Sequence, residues 1–394
     1  MPTRHPDEIK GFRLLGHDPS AAWGCGSLVE VHKGYAYVGS VGTSSGTAPE
    51  GFTAHDVRDP TRPKKVFEFK APPGVHCHKL RLVGDHILYV NSERLPGERG
   101  KDGRAGLFIF DITKPDAPKE IGFYDTPGSG PHRFGVDNKR GLAFLPNDAP
   151  GWNKRVIWTL DVKNPLKPEV VSIWGLPWQK AEQAATEGND PMPADATCTV
   201  HGPPMIRGNR MYCAFWGGGV AVIDCTDLTK MELVGHIQWS PPFPGSTHTA
   251  WPIGERPYLI VTDEARGKQK FWDSQFMWIV DIRHETNPIP VSTFIPDRDK
   301  YFERPGRFGA HNILENIPAE GPWKDLVFLT YFNAGLRVVD VSDVLQPKEI
   351  ACFVPAVPNG REMIQSNDIG ADEHGRLYLI DRAGAGMHIL EYTG

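Results

Sequence analysis

Five histidines stand at one recurring distance ahead of an apolar-aromatic run. His78 precedes Tyr89 of HILYVNS by 11 residues, His132 precedes Leu142 of LAFLPND by 10, His201 precedes Tyr212 of RMYCAFW by 11, and His248 precedes Tyr258 of YLIVTDE by 10. His311 heads a further unit of this kind before LVFLTYF, while the same count lands on Gly26 ahead of YAYVGS and on Asn367 ahead of LYLIDR. Five protonated imidazoles sharing one place would repel one another and resist desolvation, whereas neutral imidazole is the common ligand of divalent transition metals. The pattern predicts a metal site with His78, His132, His201, His248 and His311 as ligands. Iron, copper, manganese or zinc is preferred over calcium and magnesium, which favour oxygen.

Carboxylates end the aromatic runs at Glu93, Asp148, Asp263, Glu264 and Asp381. Such groups orient metal-bound imidazoles or serve as catalytic acids and bases. His76, two residues before His78, and Asn367, Asp368 and Arg382 are expected to complete coordination or hold substrate. His32, His55, His86, His236, His284, His374 and His388 are assigned to the surface or to turns.

The elements that must position these residues repeat. A strand ending in aspartate and followed by a turn recurs at Asp56, Asp111, Asp161, Asp224, Asp281 and Asp340, a period in the fifties that accommodates four strands per unit. The aromatic runs number seven, one more than the aspartate turns. The C-terminal MHILEYTG lacks a following strand, and the N-terminal IKGFRLLGH resembles the strands IGFYDTP and LVGHIQW that follow the turns. The expected fold is therefore an all-β, seven-bladed β-propeller spanning residues 1–394 as one domain. A strand at about 9–17 completes the last blade and removes its exposed edge.

In such a propeller the start of each innermost strand borders the central axis, so equivalent side chains converge on the mouth of the channel. The longest connections, from Ser92 to Gly106, Pro177 to Thr199, Asp263 to Gln275, Pro296 to Ala310 and Pro355 to Ser366, all open on that face. They bring Trp152, Trp178 and Trp216, with Phe271, Trp272, Tyr301 and Phe302, toward an apolar or aromatic substrate. The run WQKAEQAATEG has the propensity for a short lid helix.

The strands AVIDC, WIVDI and RVVDV resemble those of the LVIVD-repeat β-propeller family, over Gly34 to Tyr392. That resemblance implies the architecture, and it leaves the chemistry open because members of the family are functionally diverse. More distantly, GCG at 24–26, VHCHKL and DITKPDAP are similar to selenium-binding protein and methanethiol oxidase propellers. A four-histidine propeller centre also resembles the iron-dependent carotenoid-cleaving oxygenases, which implies oxidative chemistry.

Composition excludes other classes. Lys+Arg 43 against Asp+Glu 48 gives a net charge of -5, which argues against nucleic acid as a partner. There is no GxSxG elbow, GxxxxGK[ST] loop, GxGxxG or HExxH. No apolar run reaches membrane-spanning length and the N-terminal residues lack an apolar signal core, so a cytoplasmic location with buried thiols is expected. The expected function is a metal-dependent oxidoreductase or oxygenase acting on a small organic molecule. A metal-dependent lyase, hydratase or hydrolase and a non-catalytic protein-binding propeller are the alternatives.

Overall fold

The computed structural model describes residues 6–42, 48–181, 198–239, 243, 246–265, 275–315, 317 and 321–394. These form seven antiparallel sheets arranged as a seven-bladed β-propeller. The first blade shows the pattern: Gly26–His32 innermost, then Tyr35–Ser40, Gly51–Asp56 and Lys64–Lys70 at the rim. The second strands of the other blades are Ile87–Arg94, Leu142–Asn147, Arg210–Trp216, Tyr258–Asp263, Leu326–Thr330 and Arg376–Asp381, which are the seven aromatic runs.

The repeating aspartate ends the third strand of six blades because its carboxylate makes the turn. Oδ1 of Asp56, Asp111, Asp161, Asp224, Asp281 and Asp340 accepts the N–H two residues on, at 2.8–3.1 Å. Beyond each turn, the pairing of third and outermost strand slips by one residue, at Ala54/His55, Ile109/Phe110, Thr159/Leu160, Val222/Ile223, Ile279/Val280 and Val338/Val339. The slip increases local twist, which lets each blade stack on the next.

Phe12–Asp18 closes the seventh blade by pairing with Met387–Tyr392, and it repeats the same slip, at Leu14/Gly16. The N-terminal strand is thus a full substitute for a chain-terminal fourth strand. Its bounds differ slightly from the expected 9–17, because Glu8–Lys10 pairs with Lys348–Val354 at the rim of the sixth blade. Gly11, at φ +68°, makes the step between the two blades, where a Cβ would meet Ala351 Cβ at 2.7 Å.

The apolar core lies between blades, in seven clusters that correspond to the seven blade-to-blade interfaces. Tyr89, Ile109, Leu145 and Trp158 join blades two and three, while Val29, Val38, Tyr378, Ile380 and Met387 join blade seven to blade one. His55 and His388, expected at the surface, are buried, His55 at this last junction and His388 toward blade six, where it meets Phe353. His55 pairs through Nδ1 with Asp18 Oδ2 at 2.7 Å, and His388 stacks on His17 with ring centroids 4.3 Å apart. Both were misassigned because the N-terminal strand that supplies Asp18 and His17 reaches them only through tertiary pairing. The six cysteines form no disulfide. No helix among the described residues is long and apolar enough to cross a membrane.

A Cβ on Gly16 would lie 2.0 Å from the Pro60 carbonyl oxygen in the turn of blade one, and one on Gly235 would lie 1.8 Å from the matching Glu285 oxygen. Outer-strand glycines at this position admit the next blade's aspartate turn. Gly16→Ala should therefore cost about 1–3 kcal/mol in urea unfolding, as overpacking against backbone does. An unchanged midpoint would show that closure does not depend on this contact.

Candidate metal centre

Each innermost strand begins at the axis, so the residue at its start is forced toward six counterparts. The five imidazoles form a continuous arc, with centroid separations of 4.7 Å from His78 to His132, 5.1 Å to His201, 4.1 Å to His248 and 4.3 Å to His311. His76 stacks on His78 at 3.8 Å and is held through Nδ1 by Glu50 at 2.8 Å. One-residue irregularities in blades one, five and seven lift Ser27, His248 and Asn367 out of the ladder toward the axis. The first-blade member of the ring is therefore Ser27 and not Gly26, since the bulge adds a residue that counting back cannot see.

Burial pushes all five imidazoles below their ordinary value, and neighbouring imidazoles or the cations Lys79, Arg133 and Arg382 add to the effect. They are neutral at physiological pH and each keeps a ring lone pair. Their Nδ1 atoms are engaged: His132 donates to Glu93 Oε2 at 2.7 Å, His311 donates to the Asn367 carbonyl at 2.6 Å, and His248 meets Thr249 Oγ1 at 2.9 Å. His201 Nδ1 faces the His248 carbonyl at 3.4 Å, and His78 Nδ1 lies 3.4 Å from Asn91 Nδ2. The Nε2 atoms of His78, His132, His201 and His248 make no hydrogen bond to another described residue, and that of His311 lies 3.9 Å from Glu264. Giving away the Nδ1 proton and leaving Nε2 unengaged, as in His132, His201 and His311, is how proteins prepare a histidine ligand, whereas His78 Nδ1 faces the donor Asn91 Nδ2.

A second set of side chains stands one step past each aromatic run and lies over the first. Trp216 stacks on His201 at 4.2 Å and 25°, and Phe332 lies 4.6 Å from His311 with a left-handed φ of +39°. Glu93 and Glu264 occupy the same position in their blades. Two groups have ligand atoms within 4.8 Å of one another: His78, Glu93 and His132, and His201, His248 and Glu264. They differ in what remains available. Both oxygens of Glu93 are taken, by His132 and by Arg155; burial pushes this carboxyl up, but His132 and Arg155 outweigh it and hold it below its usual range. Glu264 gives Oε1 to Arg307 at 2.9 Å and keeps a buried Oε2 with no hydrogen-bond partner. An orphaned carboxylate oxygen beside two neutral imidazoles fits a divalent cation.

The structure keeps the other carboxylates apart from this arrangement. Asp148 caps Ser129 through its N–H and hydroxyl, each at 2.7 Å. Asp381 accepts backbone N–H groups from Gln365, Ala383 and Ala385. Asp263 is pushed up to about 7 by burial and accepts from the indoles of Trp239 at 2.8 Å and Trp278 at 2.6 Å, between blades four and five. Trp152 packs on the interface of blades two and three and Trp178 on that of blades three and four, against His236 at 4.9 Å, so of the three tryptophans only Trp216 reaches the ring. Phe271, Trp272 and most of the expected lid run lie outside the described residues.

Sequence reasoning missed the layer below, except for Asp368, which it expected to complete coordination or hold substrate and whose two oxygens are taken there by Asn312 and the Val29 N–H. Lys79, Arg133, Thr249, Asn312 and Asp368 each follow a ring residue directly. Arg133 reaches the Gly202 carbonyl at 2.7 Å and Thr249 Oγ1 at 2.9 Å, and pairs with Glu315. Arg81 joins Glu315 at 2.8 Å to Glu30 at 2.7 Å, and Asp368 binds Asn312 and the Val29 N–H. This ionic layer separates the ring from a cavity of about 620 Å³ at the opposite mouth, lined by Trp251, Pro203 and Met205 among others. The signal was present as a polar or charged residue after four of the five histidines, Gly202 following His201, in strands whose burial on both faces leads one to expect apolar runs.

Residues 205–238, which run through blade four from Met205–Arg207 to its outermost strand Glu232–Ile237, match the family model described as LVIVD repeat. The chain carries an LVIVD repeat. No curated protein matches the sequence. A chain in the crystal structure of a mitotic checkpoint complex is similar at TM-score 0.57 and 10% identity, covering 99% of this chain and 96% of that one. The structure of U3-55K is similar at TM-score 0.59 and 12% identity, over 98% and 99% of the two chains. A protein from Lactobacillus plantarum reaches TM-score 0.59 and 13% identity over 91% and 99%. These likenesses establish the propeller fold, and the LVIVD match supports a relation to that repeat family. The expected likeness to selenium-binding protein and methanethiol oxidase is not among what they show.

Because burial sets each ring imidazole below its ordinary 6.5, the unfolded chain binds more protons as pH falls through that value. Stability contributed by the neutral ring is full above it and is lost on acidification. Replacing His201 and His248 by asparagine should flatten the fall in melting temperature of the metal-stripped protein between about pH 7.5 and about pH 5. An equally steep fall in the variant would show that the ring does not titrate on unfolding.

Proposed function

We propose that the protein is a metal-dependent enzyme acting on a small organic molecule at the histidine mouth, and that its chemistry is oxidoreductive. The observation that carries this reading is the group His201, His248 and Glu264, in which two neutral imidazoles and one unpartnered carboxylate oxygen converge within 4.8 Å. Two histidines and one carboxylate with open positions are the donor set of non-haem iron(II) oxygenases, and a metal held there would supply redox chemistry. His311 borders the same group and is the natural further ligand. The surrounding residues divide the remaining tasks. Arg307 fixes Glu264 so that Oε2 stays directed away from it, Glu93 holds the His132 tautomer, and Trp216 and Phe332 cover the imidazoles with apolar faces that exclude water. A Lewis-acid lyase or hydrolase would use the same donors with manganese or zinc.

A second reading is a protein-binding platform. It is favoured by the fold likeness to a propeller within a mitotic checkpoint complex, since propellers of that architecture assemble with other proteins. Metal content separates the two. Protein purified without a metal-affinity tag should hold about one equivalent of iron or another transition metal by elemental analysis. Joint replacement of His201 and His248 by alanine should lower that content at least about tenfold while leaving the far-ultraviolet spectrum intact. Metal-free wild-type protein, after reconstitution attempts with iron, copper, manganese and zinc, would sink the enzyme reading and leave the platform.

A further inference from the structure

Arg382 is a guanidinium of the mouth with no ion pair among the described residues, Glu264 and Asp381 acting on it only from a distance. It is the seventh residue counted from the start of the second strand of blade seven, the place that Glu93, Trp216, Glu264 and Phe332 hold in theirs. Its guanidinium makes one side-chain hydrogen bond, to Asn367 Oδ1 at 3.2 Å, and has no carboxylate within 4.0 Å among the described residues. Asn367, whose side chain it meets, also accepts from His311 Nδ1 through its carbonyl, which sets Arg382 beside the ring. The other guanidinium groups at this mouth are neutralised, Arg155 by Glu93 and Arg307 by Glu264. Asp381, adjacent in the chain, is saturated by three backbone N–H donors, and Glu264 Oε1 belongs to Arg307. A partly buried guanidinium with most of its N–H groups unused is costly unless an anion completes it.

We propose that the mouth takes an organic monocarboxylate, its two oxygens received by the forked N–H groups of Arg382 and its body laid against the partly exposed ring of Trp216. This names the substrate class of the site proposed above and rests on that site being the functional one. A single positive charge outside any ion pair matches a monoanion, whereas a phosphate dianion would bring an excess negative charge onto Glu93 and Glu264. Guanidinium and carboxylate share a planar, two-point geometry, so the pairing orients the acid as well as holding it. The Trp216 indole favours an acid with a flat apolar body.

The test uses the full-length protein, metal-loaded and metal-stripped, titrated calorimetrically with benzoate, with its neutral counterpart benzamide and with inorganic phosphate. Benzoate should bind at least about tenfold more tightly than either of the others. Arg382→Gln should lose about tenfold or more in benzoate affinity, and Arg382→Lys, which keeps the charge without the fork, should lie between. Melting curves of both variants identify any that fail to fold, and the lysine variant then carries the comparison. Equal binding of benzoate and benzamide, preference for phosphate, no binding of benzoate, or unchanged benzoate affinity in a folded Arg382→Gln would each overturn the proposal. Benzoate binding that depends on Arg382 in a chain that takes up no metal would remove the metal reading and leave this one standing.

Discussion

The structure depends on closure of a ring. Seven sheets can surround one axis only if no blade is left with an open edge, and the strand Phe12–Asp18 supplies the missing rim of the seventh blade. Its pairing with Met387–Tyr392 reproduces the one-residue slip of every other blade, so the twist that stacks blades on one another continues through the join. The seam is reinforced by buried polar contacts, with His55 on Asp18 and His17 on the Ala385 carbonyl. Because each core cluster is shared by two blades, loosening one interface would shift the start of two innermost strands together. The positions of the axial side chains are therefore a consequence of closure.

At the axis, the same geometry that brings seven side chains together removes them from water. Imidazole tolerates this because it can be neutral, and burial keeps it so. One layer down the solution is different: charges are retained and paired, Arg133 with Glu315, Arg81 with Glu315 and Glu30. Burial and Arg133 push the Lys79 amine down to about 7, with Ser27 Oγ 3.1 Å away. Such a layer divides the channel into two mouths of unlike chemistry. The upper one carries unengaged nitrogen donors, an unpartnered carboxylate oxygen and a guanidinium with no ion pair among the described residues; the lower is wider, open and internally neutralised.

Those three unsatisfied groups belong to one argument. Folded proteins rarely leave buried polar atoms without partners, and where they do the missing partner is commonly a ligand. Neutral imidazoles and an anionic oxygen call for a cation, and a guanidinium calls for an anion. A metal on the side of blades four to six and a carboxylate on the side of blade seven would satisfy both, with the reacting part of the substrate held between them.

Much of this could be read from the chain before folding. The aspartate turns, the seven aromatic runs and the complementary ends are local signals, because turn formation and strand alternation act over a few residues. The five ring histidines were visible through the same periodicity. What the chain could not show was which neighbour each side chain would meet. Ser27 replaced Gly26 because a bulge is a feature of pairing; Asp148, Asp263 and Asp381 were drawn into caps and indole contacts; Trp152 and Trp178 were claimed by interfaces between blades; His55 and His388 were buried through the N-terminal strand that closes the ring. Sequence alone determined the blade, its repetition and the histidine at its start. Tertiary structure decided the availability of each donor, because a carboxylate or guanidinium becomes a site only when the partners that would otherwise satisfy it are placed elsewhere.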